Sequence, residues 1–228
     1  MPKRVNIITP CFKSAATVSR AISSIDNALE HIGDKREALS PTVSVVLDGP
    51  DEETSRIVRN ISTSFPVKVI ELAQHSGIAA ARNAGAHHTE SEVITFLDAD
   101  DEMTPSRLAA VASVLPGTLM IGKQEVVFDG PEGRNLPPLP DSSSYHLSSM
   151  LIYRDEFMRL GMLNEEFSVG DDWDFAIRAQ EAGISTVRSD ETFVVRHATG
   201  MNASLDREKV KGDYVSAVRK HIMRIQGG

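Results

Sequence analysis

Two clusters of carboxylates are the residues of this sequence best suited to chemistry. One holds four acids in the five residues from Asp98 to Glu102, and the other begins at Asp171-Asp172. Carboxylates packed this closely repel one another unless a cation lies among them. Mg²⁺ and Mn²⁺ prefer oxygen ligands and are often held by one or two carboxylates together with substrate phosphates. The alternative interpretation of the first cluster is a solvated acidic turn before the helix that starts at Thr104-Pro105.

The elements around these residues predict a parallel sheet. Short β-branched runs at residues 5–8, 43–47, 67–72 and 93–97 alternate with amphipathic helical stretches, the first capped by Ser14. Such alternation predicts βαβ units, and therefore a single α/β domain with a mostly parallel, Rossmann-like central sheet flanked by helices. Ligands of these sheets bind at the carboxyl ends of the strands. Thr9-Pro10, Asp48-Gly49 and Asp98 follow three of the strands, so we expect a site at that edge.

The second half is less regular. Strands are predicted over residues 118–128 and 150–153, and one or two more within 184–195. Helices are predicted over 154–160 and 171–182, and a loop is predicted over 129–144. We expect a domain over residues 1–203 and a basic amphipathic helix over 204–228. Its apolar stripe is expected to dock on the domain and consists of Val210, Tyr214, Val218, Ile222 and Ile225. The alternative is that this helix contacts an anionic acceptor or a membrane surface.

Composition and charge exclude several classes of protein. The single cysteine, Cys11, forms no internal disulfide, and the net charge of -8 argues against broad capture of DNA or anionic lipid. The segment from Ser204 onward is different, because it holds six Lys or Arg against three Asp or Glu. No run approaches the roughly 20 apolar residues of a membrane span. We therefore expect a cytoplasmic protein without a transmembrane segment.

Five motifs, in family order and spacing, resemble the family 2 glycosyltransferases of the GT-A fold. They are ITPCF (8–12), VLDGPD (46–51), SGIAAARNAG (76–85), FLDADD (96–101) and GDDWDF (170–175) with Arg178, so the resemblance covers about residues 4–200. It implies a GT-A type domain. It also implies an inverting glycosyltransferase that moves a sugar from a nucleoside diphosphate sugar, a UDP-sugar, to an acceptor hydroxyl.

The resemblance implies a donor site at the strand ends. The matching positions are Thr9, Pro10 and Asp48 for the nucleotide base, Gly77 and Arg82 for the diphosphate, and Asp98 for the ribose. The family usually has two adjacent acids after the second strand, and this chain has Leu47-Asp48. The alternatives are a turn residue at Asp48 and an exposed helix arginine at Arg82.

The resemblance also implies a metal and a catalytic base. Asp100 and His197 match the positions that hold a divalent cation, Mn²⁺ or Mg²⁺, and Asp172 matches the general base. A base at a helix N-terminus is expected to stay ionised, because the helix dipole favours its charge. Asp171 and Trp173 would lie on the acceptor side. The alternatives are an N-cap at Asp172, a structural His197 and a core position for Trp173.

Other functions remain open at this stage. A nucleotidyltransferase also binds Mg²⁺ at strand ends, but it normally has a Gly-rich basic loop after the first strand. This chain has PCFKS there, at residues 10–14. A non-catalytic module that binds nucleotide-sugars is a second alternative. A glycosyltransferase acting on an unusual acceptor, such as a modified base in nucleic acid, is a third, although the acidic body disfavours a nucleic-acid partner.

Overall fold

Eight strands form one sheet in the computed structural model, which describes residues 1–128, 146–167, 170–198 and 207–226. The strands are β1 (Lys3–Cys11), β2 (Leu39–Leu47), β3 (Val67–Glu71), β4 (Val93–Phe96), β5 (Glu102–Met103), β6 (Thr118–Phe128), β7 (Met150–Tyr153) and β8 (Ser185–Ala198). Their order is β3-β2-β1-β4-β7-β6-β8-β5. Strand β7 runs antiparallel to β4 and β6, and β5 to β8, while the other pairings are parallel. The predicted α/β class with a mostly parallel sheet is confirmed.

The helices follow the predicted positions. They are α1 (Val18–His31), α2 (Glu52–Asn60), α3 (Ile78–His87), α4 (Pro105–Val111), α5 (Arg154–Arg159), α6 (Asp171–Glu181) and α7 (Arg207–Gln226), with short 3-10 helices at Gly33–Ala38 and Leu147–Ser149. None of the helices in the described ranges is both long and apolar enough to cross a membrane.

The core lies on both faces of the sheet. Neighbouring residues of β1 belong to different apolar clusters, because Ile7 packs with α1 on one face and Ile8 packs with α3 on the other. Both side chains are fully buried. A strand covered on both faces reads as a continuous apolar run rather than an alternating one. This explains why the first strand shows no period of two in the sequence.

Three local predictions need correction or restriction. Helix α1 begins after Thr17, so the predicted cap at Ser14 is wrong. The Ser14 carbonyl accepts from the backbone N–H of Val18 at 3.0 Å, while its Oγ accepts from that of Phe12 at 3.1 Å. The 184–195 region is one strand rather than two. The predicted loop at 129–144 lies outside the described residues.

The terminal helix α7 packs against α6, and within the predicted stripe the structure describes the side chains of Val218 and Ile222. Ile222 of the stripe is 45% exposed, whereas Ala217 is fully buried. The side chains of Val210, Tyr214 and Ile225 lie outside the described part of the chain. The stripe prediction is therefore wrong at Ile222, whereas Val218 is half-buried.

Polar side chains of α7 contact the domain. Lys220 Nζ lies 2.5 Å from Glu166 Oε2, and His221 pairs with Glu181 at the end of α6. Asp213 Oδ2 accepts from the backbone N–H of Gly170 at 3.3 Å. Asp213, Ala217, Lys220 and His221 are spaced to lie on one helix face. Charged and polar pairs therefore contribute to this contact.

Candidate active site

Asp48 follows β2 and holds the loop that leads into α3. Its Oδ1 accepts from the backbone N–H of Ser76 at 2.6 Å, and its Oδ2 accepts from that of Gly77 at 2.9 Å. His75 Nδ1 lies 2.7 Å from Oδ2. The carboxylate is buried and accepts backbone N–H groups with both oxygens. Asp48 thus does more than shape the turn at Gly49, because it fixes the start of helix α3.

The other residues predicted to bind the donor base and diphosphate lie around Asp48. Thr9 and Pro10 are buried, and Thr9 Oγ1 has no hydrogen-bond partner among the described residues. Gly77 is the N-cap residue of α3 with φ +98°, a conformation that favours glycine. A Cβ placed on Gly77 would meet nothing within 4 Å. The backbone at Gly77 therefore borders open space.

An aromatic pair beside Asp48 had no role in the sequence analysis. The rings of Phe12 and His75 stack with centroids 4.0 Å apart and planes at 23°. Phe12 is 49% exposed although it directly follows β1. An exposed ring at the carboxyl end of a strand offers a face for stacking. The position of Phe12 in the ITPCF motif was the sequence feature that could have indicated this role.

Arg82 joins the two acidic clusters. Its Nη2 lies 2.6 Å from Asp98 Oδ1, and its Nη1 lies 3.1 Å from Asp171 Oδ2. Arg82 is buried, so the alternative of an exposed helix arginine is wrong. Burial opposes ionisation of Asp98, but Arg82 overrides this effect and lowers the pKa of that carboxyl. The guanidinium that was expected to meet a diphosphate already binds two carboxylates.

The acids after β4 differ in their electrostatics. Burial, and then the neighbouring Asp98, raise the pKa of Asp100. The same two causes, with Asp100 added, raise the pKa of Asp101 to about 8. Asp101 is buried, so this part of the cluster is not a solvated turn. Its Oδ1 accepts from the backbone N–H of His197 at 3.1 Å.

The two predicted metal ligands, Asp100 and His197, do not form part of a metal-binding cluster among the described residues. His197 Nε2 lies 2.7 Å from Glu102 Oε1. Across the described ranges, no three His, Cys, Asp or Glu side chains converge in a way that could hold a metal ion. The chemistry of the donor set still suits a hard cation, because Asp100 sits among like charges that raise its pKa. A cation there would need further ligands from the substrate or water.

Asp172 lies in the first turn of α6 rather than at its cap. The N-cap residue is Gly170, so the N-cap interpretation of Asp172 is wrong. Asp172 Oδ1 accepts from the backbone N–H of Trp173 at 2.9 Å. Burial, and then Asp171, raise its pKa well above the ordinary carboxyl value. This shift is opposite in direction to the one expected from the helix dipole.

Two more side chains border Asp172. Trp173 is 41% exposed, so the core interpretation is wrong. His146 Nδ1 lies 3.8 Å from Asp172 Oδ2. The sequence analysis missed His146, which follows the predicted loop at 129–144 and carries no local signal. Cys11 is buried, and burial raises the pKa of its thiol to about 12, which leaves it unreactive.

Comparison with known proteins then places the chain in a family. The model of the glycosyl transferase family 2 matches residues 6–166. The chain belongs to this family. A relative described as an uncharacterized glycosyltransferase of Haemophilus influenzae is 23% identical over 96% of this chain and 77% of its own length. The dolichol-phosphate mannosyltransferase of Pyrococcus furiosus is 28% identical over 45% of this chain and 27% of its own.

Solved structures share the fold of this glycosyltransferase. TarS of S. aureus in complex with UDP-GlcNAc gives a TM-score of 0.74 at 17% identity, covering 96% of this chain and 66% of that one. Mannosyltransferase PcManGT from Pyrobaculum calidifontis, in complex with GDP-Man and Mn²⁺, gives a TM-score of 0.72 at 18% identity. The match covers 97% of this chain and 65% of that one. This chain therefore spans about two thirds of these neighbours' lengths. The glycosyltransferase prediction and the GT-A fold are confirmed.

Proposed function

We propose that this glycosyltransferase inverts the anomeric centre as it transfers a sugar from a UDP-sugar to an acceptor hydroxyl, with Asp172 as general base. One observation carries the proposal. Arg82 binds Asp98 at the end of β4 and Asp171 at the start of α6, so the strand-end acids and the acids of α6 face one site. A donor at the strand ends would then present its anomeric carbon near Asp172.

The donor would bind along the ends of β1, β2 and β4. Phe12, stacked on His75, gives the base an exposed aromatic face, and open space at Gly77 lets the diphosphate approach the backbone at the start of α3. Asp48 would support this site through Ser76 and Gly77. Uridine is proposed because TarS is described with UDP-GlcNAc, and guanosine is the competing base because PcManGT is described with GDP-Man.

A divalent cation, Mn²⁺ or Mg²⁺, would be held by Asp100. Its pKa is raised by burial and by Asp98, so a bound cation would relieve repulsion within the cluster. When bound, the cation would compensate the charge of the leaving nucleoside diphosphate. His197 pairs with Glu102, so any role as a ligand would require it to exchange that partner.

Asp172 would carry out the proton transfer. The acceptor oxygen attacks the anomeric carbon while its proton passes to Asp172, and the bond from that carbon to the diphosphate oxygen breaks. A raised pKa suits a base that must accept a proton in the transition state. Arg82 would orient Asp171 and Asp98 on either side of this step. Exposed Trp173 would contact the acceptor.

Donor binding can be tested first. A thermal-shift screen of nucleoside diphosphates and their sugars, with Mn²⁺, Mg²⁺ or EDTA, should show the largest stabilisation with a uridine ligand and a metal. Equal shifts with all bases would contradict the UDP assignment. Equal shifts in EDTA would contradict the metal.

Transfer or slow donor hydrolysis then tests the base. Asp172→Asn should leave donor binding within about twofold and lower turnover by about 10²-fold or more. The control is Asp155→Asn, whose side chain is almost fully exposed on α5. Wild-type turnover in Asp172→Asn would refute the base, and NMR of the product anomer would test inversion.

A further inference from the structure

We propose that His146 is a positioning residue for Asp172, donating an imidazole N–H to Oδ2 so that the carboxylate is held ionised and aimed at the acceptor hydroxyl. The inference rests on the proposed function, because it assumes that Asp172 is the base. It concerns a histidine to which the sequence motifs assign no role.

The oxygens of Asp172 have different surroundings. Oδ1 accepts from the backbone N–H of Trp173 at 2.9 Å, which fixes one side of the carboxylate to helix α6. Oδ2 faces His146 Nδ1 at 3.8 Å. The proposed hydrogen bond requires this distance to shorten by less than about 1 Å. A donor on Nδ1 would then fix the second oxygen.

The backbone that carries His146 is firmly anchored. The His146 carbonyl accepts from Ser149 N at 3.0 Å and from Ser149 Oγ at 3.1 Å, at the start of the 3-10 helix Leu147–Ser149. Arg107 Nη1 donates to the carbonyl of Ser148 at 2.5 Å. Arg107 is fully buried and also donates from Nη2 to the carbonyl of Phe96 at 2.5 Å. His146 is thus tied to the strand end that carries Asp98.

The electrostatics make His146 a neutral donor. Burial, and then Arg196, lower its pKa to about 4, while Asp98 acts in the opposite direction and Arg82 adds to the lowering. A neutral imidazole has one N–H and one acceptor nitrogen. An N–H placed on Nδ1 would stabilise the ionised form of Asp172 without adding charge.

That contribution matters because the base is otherwise disfavoured as an anion. Burial and Asp171 raise the pKa of Asp172, and Arg82 only partly offsets them. A hydrogen bond to the ionised carboxylate lowers its pKa. Loss of the donor should therefore move the acid limb of the activity profile to higher pH.

The test compares variants that keep or remove the donor. His146→Leu and His146→Phe remove the N–H, and His146→Gln retains one. We expect the first two to shift the acid limb of kcat upward by about one pH unit and to lower kcat at pH 7 by about tenfold, with the donor KM within about twofold. His146→Gln should recover most of the loss. His87→Leu, an exposed histidine at the end of α3, is the matched control.

The outcomes separate this inference from the proposed function. If Asp172→Asn retains transfer, the base assignment fails. If Asp172→Asn abolishes transfer while both donor-free variants keep the wild-type pH profile, only the role of His146 is overturned. An equal loss in Leu, Phe and Gln variants with an unshifted profile would also overturn it, because that pattern marks a packing role. Thermal melts show which variants are folded. The test is decisive if either His146→Leu or His146→Phe is folded.

Discussion

Arg82 on α3 and Asp171 on α6 form a buried ion pair, with Nη1 and Oδ2 3.1 Å apart, that joins residues 89 positions apart in the chain. The same guanidinium binds Asp98 through Nη2. Helix α3 belongs to the regular βαβ half, and α6 belongs to the irregular half. The pair therefore fixes the proposed base helix to the donor side of the sheet.

Breaking this pair should be costly. In Arg82→Met the buried carboxylate of Asp171 and the half-buried one of Asp98 lose their partner, and removal of one side of a buried pair typically costs about 3–5 kcal/mol. We expect a loss of this size in the free energy of unfolding, measured by urea titration. Arg56→Met on the exposed face of α2 should cost less than about 0.5 kcal/mol. A loss of donor affinity in an otherwise stable Arg82→Met would instead indicate a diphosphate contact.

The contact between α7 and α6 should depend on Gly170. A Cβ on Gly170 would lie 2.7 Å from Asp213 Cβ, so Gly170→Ala must displace the terminal helix or the start of α6. We expect lower thermal stability and a reduced kcat, because Asp172 lies two residues beyond Gly170. Gly212→Ala is the control, because its Cβ would meet nothing within 4 Å and alanine favours the helix. If both variants match wild type, α7 does not hold the start of α6.

Arg107 is expected to support the site by holding the end of β4 and the 3-10 helix Leu147–Ser149 in place. It is fully buried, and it donates to the carbonyls of Phe96 and Ser148 and to the hydroxyl of Thr95. Arg107→Met fills similar volume but leaves these acceptors without their donor, at about 1–3 kcal/mol for each unsatisfied group. We expect a clear drop in Tm by calorimetry, against little change in Arg159→Met near the end of α5. A stability equal to wild type would mean that other donors replace the guanidinium.

The elements could be predicted because their signals are local. Runs such as residues 43–47 and the spacing in α1 and α6 give strand and helix directly, and polar residues after the strands mark the ligand edge. Strand β5 was missed because two residues carry no periodicity, and it forms only by pairing Glu102 with Val195 across the chain.

The chemistry of the site was harder to predict because it depends on burial. The helix-dipole argument for Asp172 treated it as solvated, whereas its burial beside Asp171 reverses the direction of the pKa shift. His146 carries no motif and gains its place only through the 3-10 helix that Arg107 holds. The stripe on α7 assumed apolar docking, although Glu166 and Glu181 supply charges to that contact.

Asp101 should make the stability of the fold depend on pH. Its pKa is about 8 in the folded protein, raised chiefly by burial, against an ordinary value of 3.8. Between these values the native state binds more protons than the unfolded chain, so this group lowers stability as pH rises from about 4 to 8. Asp101→Asn keeps an oxygen to accept from the N–H of His197 and removes the titration. We therefore expect the variant to gain about 1 kcal/mol or more over wild type at pH 8.

The gain should be small at pH 4, where the wild-type carboxyl is protonated in the native state and about half protonated in the unfolded chain. Urea unfolding of both proteins at pH 4, 6 and 8 in EDTA measures the difference without contribution from a divalent cation. Asp190→Asn is the control. The exposed carboxyl of Asp190 pairs with Lys123, which lowers its pKa, so its contribution to stability changes with pH in the opposite direction. A difference between wild type and Asp101→Asn that does not grow with pH would show that Asp101 ionises normally. Restored wild-type stability on adding Mn²⁺ at pH 8 would further indicate that a cation relieves this repulsion.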